Sequence, residues 1–179
     1  IKEAANKYYN ACPAHVEKAM QKFAEVTGRQ YHLVEYKGSN TAEHIVVSMG
    51  SSVETLEETA KTLNAMGQNV GVLGVHLYRP FPKEAFINAL PKTVKYITVL
   101  DRTKESGATG EPLYLDVVST LAEAVSNQRI EHMPKILGGR YGLSSKEFTP
   151  AMAKAVFENK DKQSYRTKIT CFRTGSSIY

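Results

Sequence analysis

The 179 residues include only two cysteines, Cys12 and Cys171, far apart and with no C-x-x-C pair. Zinc and iron-sulfur sites take about four clustered ligands, so neither is expected from this chain alone. Two reduced thiols in an intracellular protein is the reading that fits the compartment rule. No apolar run reaches the roughly 20 residues of a membrane span. The first residues lack the charged-then-apolar order of a signal peptide. The chain starts at Ile1 rather than Met, which suits a fragment, and its first residue says nothing about targeting.

Nucleotide loops and hydrolase motifs are missing as well. Neither G-x-G-x-x-G nor G-x-x-x-x-G-K-[ST] occurs, and no G-x-S-x-G elbow supports a serine-hydrolase triad. The histidines (His15, His32, His44, His76 and His132) show no H-x-x-x-H spacing. His76 lies in the most apolar run and is expected to be a hydrogen-bonded core histidine rather than a ligand.

The formal charge is +5, but residues 160–179 hold Lys160, Lys162, Arg166, Lys168 and Arg173 against Asp161 alone. That tail carries a surplus of four and leaves about one for the remainder. With no finger, basic helix or aromatic RNA-binding motif, a nucleic-acid partner is not expected, and neither is a membrane.

The chain is long enough to bury roughly 70% of its unfolded surface in one core. Val16, Met20, Phe23 and Val26 make one helical stripe from Pro13 to about Val26, predicted to face a core and to end at Gly28. "YHLVEY" (31–36) and "HIVVSM" (44–49) have strand composition. Seven residues between them are too few for a parallel crossover, so if they share a sheet the first runs antiparallel to the second. Val53, Leu56, Ala60 and Leu63 mark a helix stopped by Gly67, and "VGVLGVHL" (70–77) reads as a central strand covered on both faces.

Pro82 with Phe86, Ile87 and Leu90, then "VKYITVLD" (94–101), a helix near 113–125 and a strand near 135–138, continue the alternation. Ser144 with Glu147 has the form of a capping box, and Thr149-Pro150 that of a second helix start. Such alternation specifies an α/β fold, a three-layer α/β/α arrangement around an open, mostly parallel sheet. Residues 161–179 are expected to be a tail without assigned structure.

In such sheets ligands and partners meet the carboxyl ends of the strands. Those ends carry Gly50-Ser51-Ser52, Tyr78-Arg79-Pro80, Asp101 to Glu105, and Gly139-Arg140-Tyr141-Gly142. Gly50 is expected to make a turn, with Ser51 or Ser52 capping the helix; a phosphate held by the free amides is the alternative. Arg79, Arg102, Lys104 and Arg140 make the rim basic, and Asp101 and Glu105 are placed to pair with them. A solvated rim or internal ion-pair network, an interdomain or protein surface, and a small anion site such as one for the coenzyme A diphosphate all remain open.

The wording of three segments carries more. "VSMGSSVETLEETAKTLNAMGQNVGVLGVHLYRPFPKEAFINALP", "TVLDRTKESGATGEPLYLDV" and "GGRYGLSSKEFTPAM" closely resemble the second domain of pyruvate:ferredoxin (flavodoxin) oxidoreductase, and the likeness covers about residues 6–158. "LYRPF", "DRTKE" and "GGRYGL" together are specific. The resemblance implies a domain similar to the C-terminal domain of transketolase, with a five-stranded sheet containing one antiparallel strand. It implies a linker helix over 1–30, the domain proper over 31–160, and a basic tail over 161–179 that is divergent or non-native.

It further implies a large cytoplasmic enzyme, or one in a hydrogenosome-like organelle if the source is a protist. That enzyme would oxidise pyruvate with coenzyme A, using thiamine diphosphate, Mg and iron-sulfur clusters, and reduce ferredoxin or flavodoxin. A pyruvate:NADP oxidoreductase containing the same domain is the alternative. No cofactor and no catalytic residue is assigned to this chain, which has no G-D-G motif. Its expected partners are the enzyme's other domains and the dimer mate.

Overall fold

The computed structural model describes residues 2–159. The tail expected over 161–179 lies outside them. The elements run α1 (Asn6–Thr27), β1 (Val34–Gly38), β2 (His44–Ser48), α2 (Ser52–Ala65), β3 (Val70–Val75), α3 (Lys83–Ala89), β4 (Tyr96–Asp101), α4 (Pro112–Ser126), β5 (Lys135–Arg140) and α5 (Pro150–Glu158). The sheet order is β1-β3-β2-β4-β5, parallel except for β1, which pairs antiparallel with β3. The expected direction of the first strand is therefore observed, although its neighbour is β3 rather than β2.

Every residue of β2 and β3 is buried, as a sheet covered on both faces requires. The two-residue period sends Ile45 and Val47 toward one core with Phe86 of α3 and Leu113, Val117 and Leu121 of α4. Val46, between them, points into the other core with Leu56, Ala60 and Leu63 of α2 and Val156 and Phe157 of α5. Each fully buried side chain of this kind stabilises the fold by about 1.5–3 kcal/mol.

Three local expectations change. The stripe on α1 packs against the core through Val16 and Met20, which are partly buried; Phe23 is 40% and Val26 86% exposed. That helix starts at Asn6, so Pro13 lies inside it, and α1 has no buried residue. Gly28 does end it, at φ 70°. His76 is exposed just past β3, its Nδ1 donating to the carbonyl of His32 (2.7 Å). The core histidine is His44, packed against Tyr96 and Phe157 with Nε2 2.9 Å from Thr98 Oγ1. Ile87, grouped with Phe86 and Leu90 by its spacing, is only partly buried and stays outside both cores.

The antiparallel edge depends on a missing side chain. A Cβ on Gly71 would lie 2.2 Å from Tyr36 Oη, so only glycine lets the Tyr36 ring lie across β3, where its hydroxyl donates to the Ser39 carbonyl (2.6 Å). Gly71→Ala should lower stability by about 1–3 kcal/mol, the cost of overpacking, read as a lower urea midpoint; an unchanged midpoint would contradict this packing. Burial pushes the Tyr36 phenol from 10.0 up to about 12. A folded value above the unfolded one makes stability fall as pH rises from 10 toward 12. Tyr36→Phe should remove Tyr36's part of that slope and a late-ionising phenol in an ultraviolet titration.

Candidate functional site at the carboxyl ends of the strands

Each strand end delivers a polar side chain to one edge, and most of these side chains close on one another. Where β2 meets α2, Gly50 takes φ 69° to make the turn. Neither serine caps the helix through its side chain. The hydroxyl of Ser52, 2% exposed, is instead 2.7 Å from Ser48 Oγ and donates to Tyr141 Oη (2.9 Å). Tyr141 in turn donates to the Met49 carbonyl (3.2 Å). The turn after β2 is thereby stitched to the segment after β5.

At the end of β4, Asp101 is 2% exposed, and its carboxylate accepts from the backbone N–H groups of Leu113 (2.9 Å) and Tyr114 (3.1 Å). These are two of the amides that open α4, which an isolated helix leaves without partners. Burial raises the Asp101 pKa above its ordinary 3.8, outweighing the lowering effect of the two backbone donors, with Glu111 and Asp116 nearby adding to the rise. Asp101 thus serves helix amides and not the rim cations it was expected to pair with.

The last residue of β5, Arg140, donates from Nε to Glu111 Oε1 at 2.7 Å. Their side chains are only 7% and 3% exposed. Glu111 is the residue before α4. One buried ion pair therefore ties the β4–α4 loop to β5. Arg79 pairs with Asp116 of α4 and stacks on the Tyr78 ring, its guanidinium carbon 4.1 Å from the centroid.

Arg102 is exposed but donates to the Gly142 carbonyl (3.3 Å). It joins Ser51, Ser52, Tyr141 and Lys146 around an open groove of about 490 Å³ between the start of α2 and residues 145–150. Ser51 and Lys104 are exposed. Of the rim residues singled out from the sequence, the structure brings Ser51, Ser52 and Arg102 together. Arg79 and Arg140 are engaged in ion pairs elsewhere on the edge.

The capping box at Ser144 and Glu147 is not formed. Ser144 (φ 56°) and Ser145 (φ 59°) are both left-handed, which bars a regular helix start there. The helix waits for Thr149, whose Oγ1 accepts from Met152 N (3.4 Å), with Pro150 in the first turn. Reasoning from sequence missed Glu111 and Asp116, and it placed Tyr141 at the strand ends without a role. An acidic residue directly before a Pro-initiated helix was the available signal for Glu111.

Among the described residues no group of three His, Cys, Asp or Glu side chains could hold a metal ion, and no helix is long and apolar enough to cross a membrane. The fold and its edge thus define an α/β domain whose strand ends bind each other. The model of the family "Pyruvate:ferredoxin oxidoreductase core domain II" matches residues 42–144, and the chain belongs to that family.

A pyruvate-flavodoxin oxidoreductase of Trichormus variabilis is 56% identical over 158 residues, covering 88% of this chain and 13% of the relative. One from Nostoc sp. (strain ATCC 29151 / PCC 7119) is 59% identical over 152 residues, covering 85% and 36%. The pyruvate:ferredoxin oxidoreductase of Moorella thermoacetica is 50% identical over 169 residues, covering 94% and 14%. The chain thus spans between about an eighth and a third of the length of these relatives.

The buried pair gives a direct check. Arg140→Met strands the Glu111 carboxylate away from water and should cost about 3–5 kcal/mol, whereas Arg140→Met with Glu111→Leu should recover most of that loss. Denaturant midpoints of the three proteins decide it. A single variant as stable as the parent would show that the pair does not hold the two segments together.

Proposed function

We propose that this chain is a non-catalytic scaffold domain of an oxidoreductase that converts pyruvate and coenzyme A to acetyl-CoA and CO2 and passes the electrons to ferredoxin or flavodoxin. The carrying observation is the 50–59% identity to enzymes of that name over at least 85% of this chain. The thiamine diphosphate, Mg and iron-sulfur clusters of such an enzyme do not fit the described residues, which offer neither a metal cluster nor a G-D-G segment. They belong to other parts of the longer polypeptide, and no chemical step runs through this chain.

Its role is to hold neighbouring domains and the dimer mate in register. Two features support this. The ion pairs and hydroxyl network fix the strand ends, and displacement of even about 1 Å at a remote site can cost a hundredfold in rate. The α1 helix, a linker from a preceding domain, presents Tyr8 at 68% and Tyr9 at 60% exposure, surface that suits contact with another part of the enzyme.

The chain purified alone, supplied with pyruvate, coenzyme A, thiamine diphosphate and Mg, should reduce no viologen dye, while a full-length enzyme containing it does. In that full-length enzyme a thiol placed by Tyr9→Cys should react with a maleimide at least about tenfold more slowly than in the isolated chain, as burial of such surface requires. Turnover by the chain alone, or equal labelling rates, would reject the reading.

A further inference from the structure

Among the described residues no strand lies outside β1, and its outer edge has an unusual symmetry. In an antiparallel pair, alternate residues point both backbone groups toward the partner strand. The carbonyl of Leu33 accepts from His76 N (2.9 Å) and Ser39 N donates to Val70 O (3.1 Å), so the odd-numbered residues of β1 face β3. The N–H and C=O groups of Val34 and Tyr36 therefore point outward. Beside them runs a groove of about 490 Å³ lined, among the described residues, by 29–32 and 34–37. The loop leading into it displays Tyr31, 38% exposed and in contact with the ring of Phe23, itself 40% exposed.

Natural edges are commonly blunted by proline, bulges or inward charges, because unpaired strands template association. The edge "VEYKG" has no proline, and its charges alternate in a self-complementary order. We infer that β1 is an interface between two copies of this chain, paired antiparallel about a two-fold axis through Tyr36, so that the two sheets become one of ten strands.

The register follows from the backbone. Tyr36 has its hydrogen-bonding groups outward and so can face its own copy as a hydrogen-bonded pair. The flanking positions are then non-hydrogen-bonded, with side chains closest together. Glu35 of each copy falls opposite Lys37 of the other, and Lys37 opposite Glu35. Lys37 already leans over Glu57 of α2 at 2.9 Å, so the incoming carboxylate would complete a three-membered network on that face. A shift of the pairing by two residues sets Lys37 against its own copy or Glu35 against its own copy, which disfavours those registers. A symmetric contact of this kind is isologous, as two-fold dimers require. The inference goes beyond the enzymatic reading and does not depend on it, because the edge belongs to this chain whatever the rest of the polypeptide does.

Sedimentation equilibrium of the 179-residue chain over a wide concentration range tests it, with circular dichroism confirming that each variant is folded. The parent should dimerise. Glu35→Lys sets lysine opposite lysine twice and should weaken dimerisation by about tenfold or more, and the charge-swapped Glu35→Lys/Lys37→Glu should restore it, since opposed charges across strands attract and like charges repel. A parent that stays monomeric, or a dimer indifferent to all three sequences, would overturn the proposal. So would a full-length enzyme in which the β1 amides are protected from exchange equally in Glu35→Lys, because an extended segment of another domain would then be the occupant.

Discussion

A carboxylate and a guanidinium held almost entirely out of water, Glu111 and Arg140, set the character of the functional edge. Desolvating two charges is costly, and in a buried site the attraction between them offsets that cost only when geometry is good. Here the geometry is a 2.7 Å contact that joins the start of α4 to the end of β5. Asp101 does the same for the end of β4, and the Ser48, Ser52 and Tyr141 hydroxyls for the end of β2. The strand ends that in other α/β proteins receive a ligand are here mostly satisfied by one another.

This internal closure occupies the place where a sheet with a conventional switch of direction would open to a ligand. The chain leaves β2 for β3 on one side and later returns to β4 on the other, which opens a crevice at the end of β2. That crevice is filled from within by Tyr141, whose ring packs at a tilt against Phe148, 5.0 Å between centroids. A groove near Arg102 and Lys146 is left open to solvent. A closed edge at the strand ends thus coexists with exposed apolar surface on α1.

Much of the fold was legible because burial on both faces writes continuous apolar runs, as in "VGVLGV", and because Val53, Leu56, Ala60 and Leu63 repeat at helical spacing. The direction of β1 could be read from loop length alone, but its neighbour could not, since pairing with β3 rests on long-range packing such as Tyr36 over Gly71. Local signals failed where tertiary contacts overrode them. Ser52 turned from a capping role to the Tyr141 network, Ser144 took a left-handed conformation, and the stripe on α1 outran the body it packs on. At the rim, the residue types were visible, but which cations were already paired was not. Arg79 finds Asp116 thirty-seven positions away and Arg140 finds Glu111 twenty-nine away, separations that spacing rules do not reach.

The central claim is that these strand-end groups serve each other and not a small molecule. Amide chemical shifts of the isotopically labelled chain, followed during titration with coenzyme A, pyruvate and thiamine diphosphate in turn, address it most directly. The amides of residues 48–52, 101–116 and 140–142 should stay in place throughout. Saturable shifts confined to those segments with any one of the three compounds would contradict it.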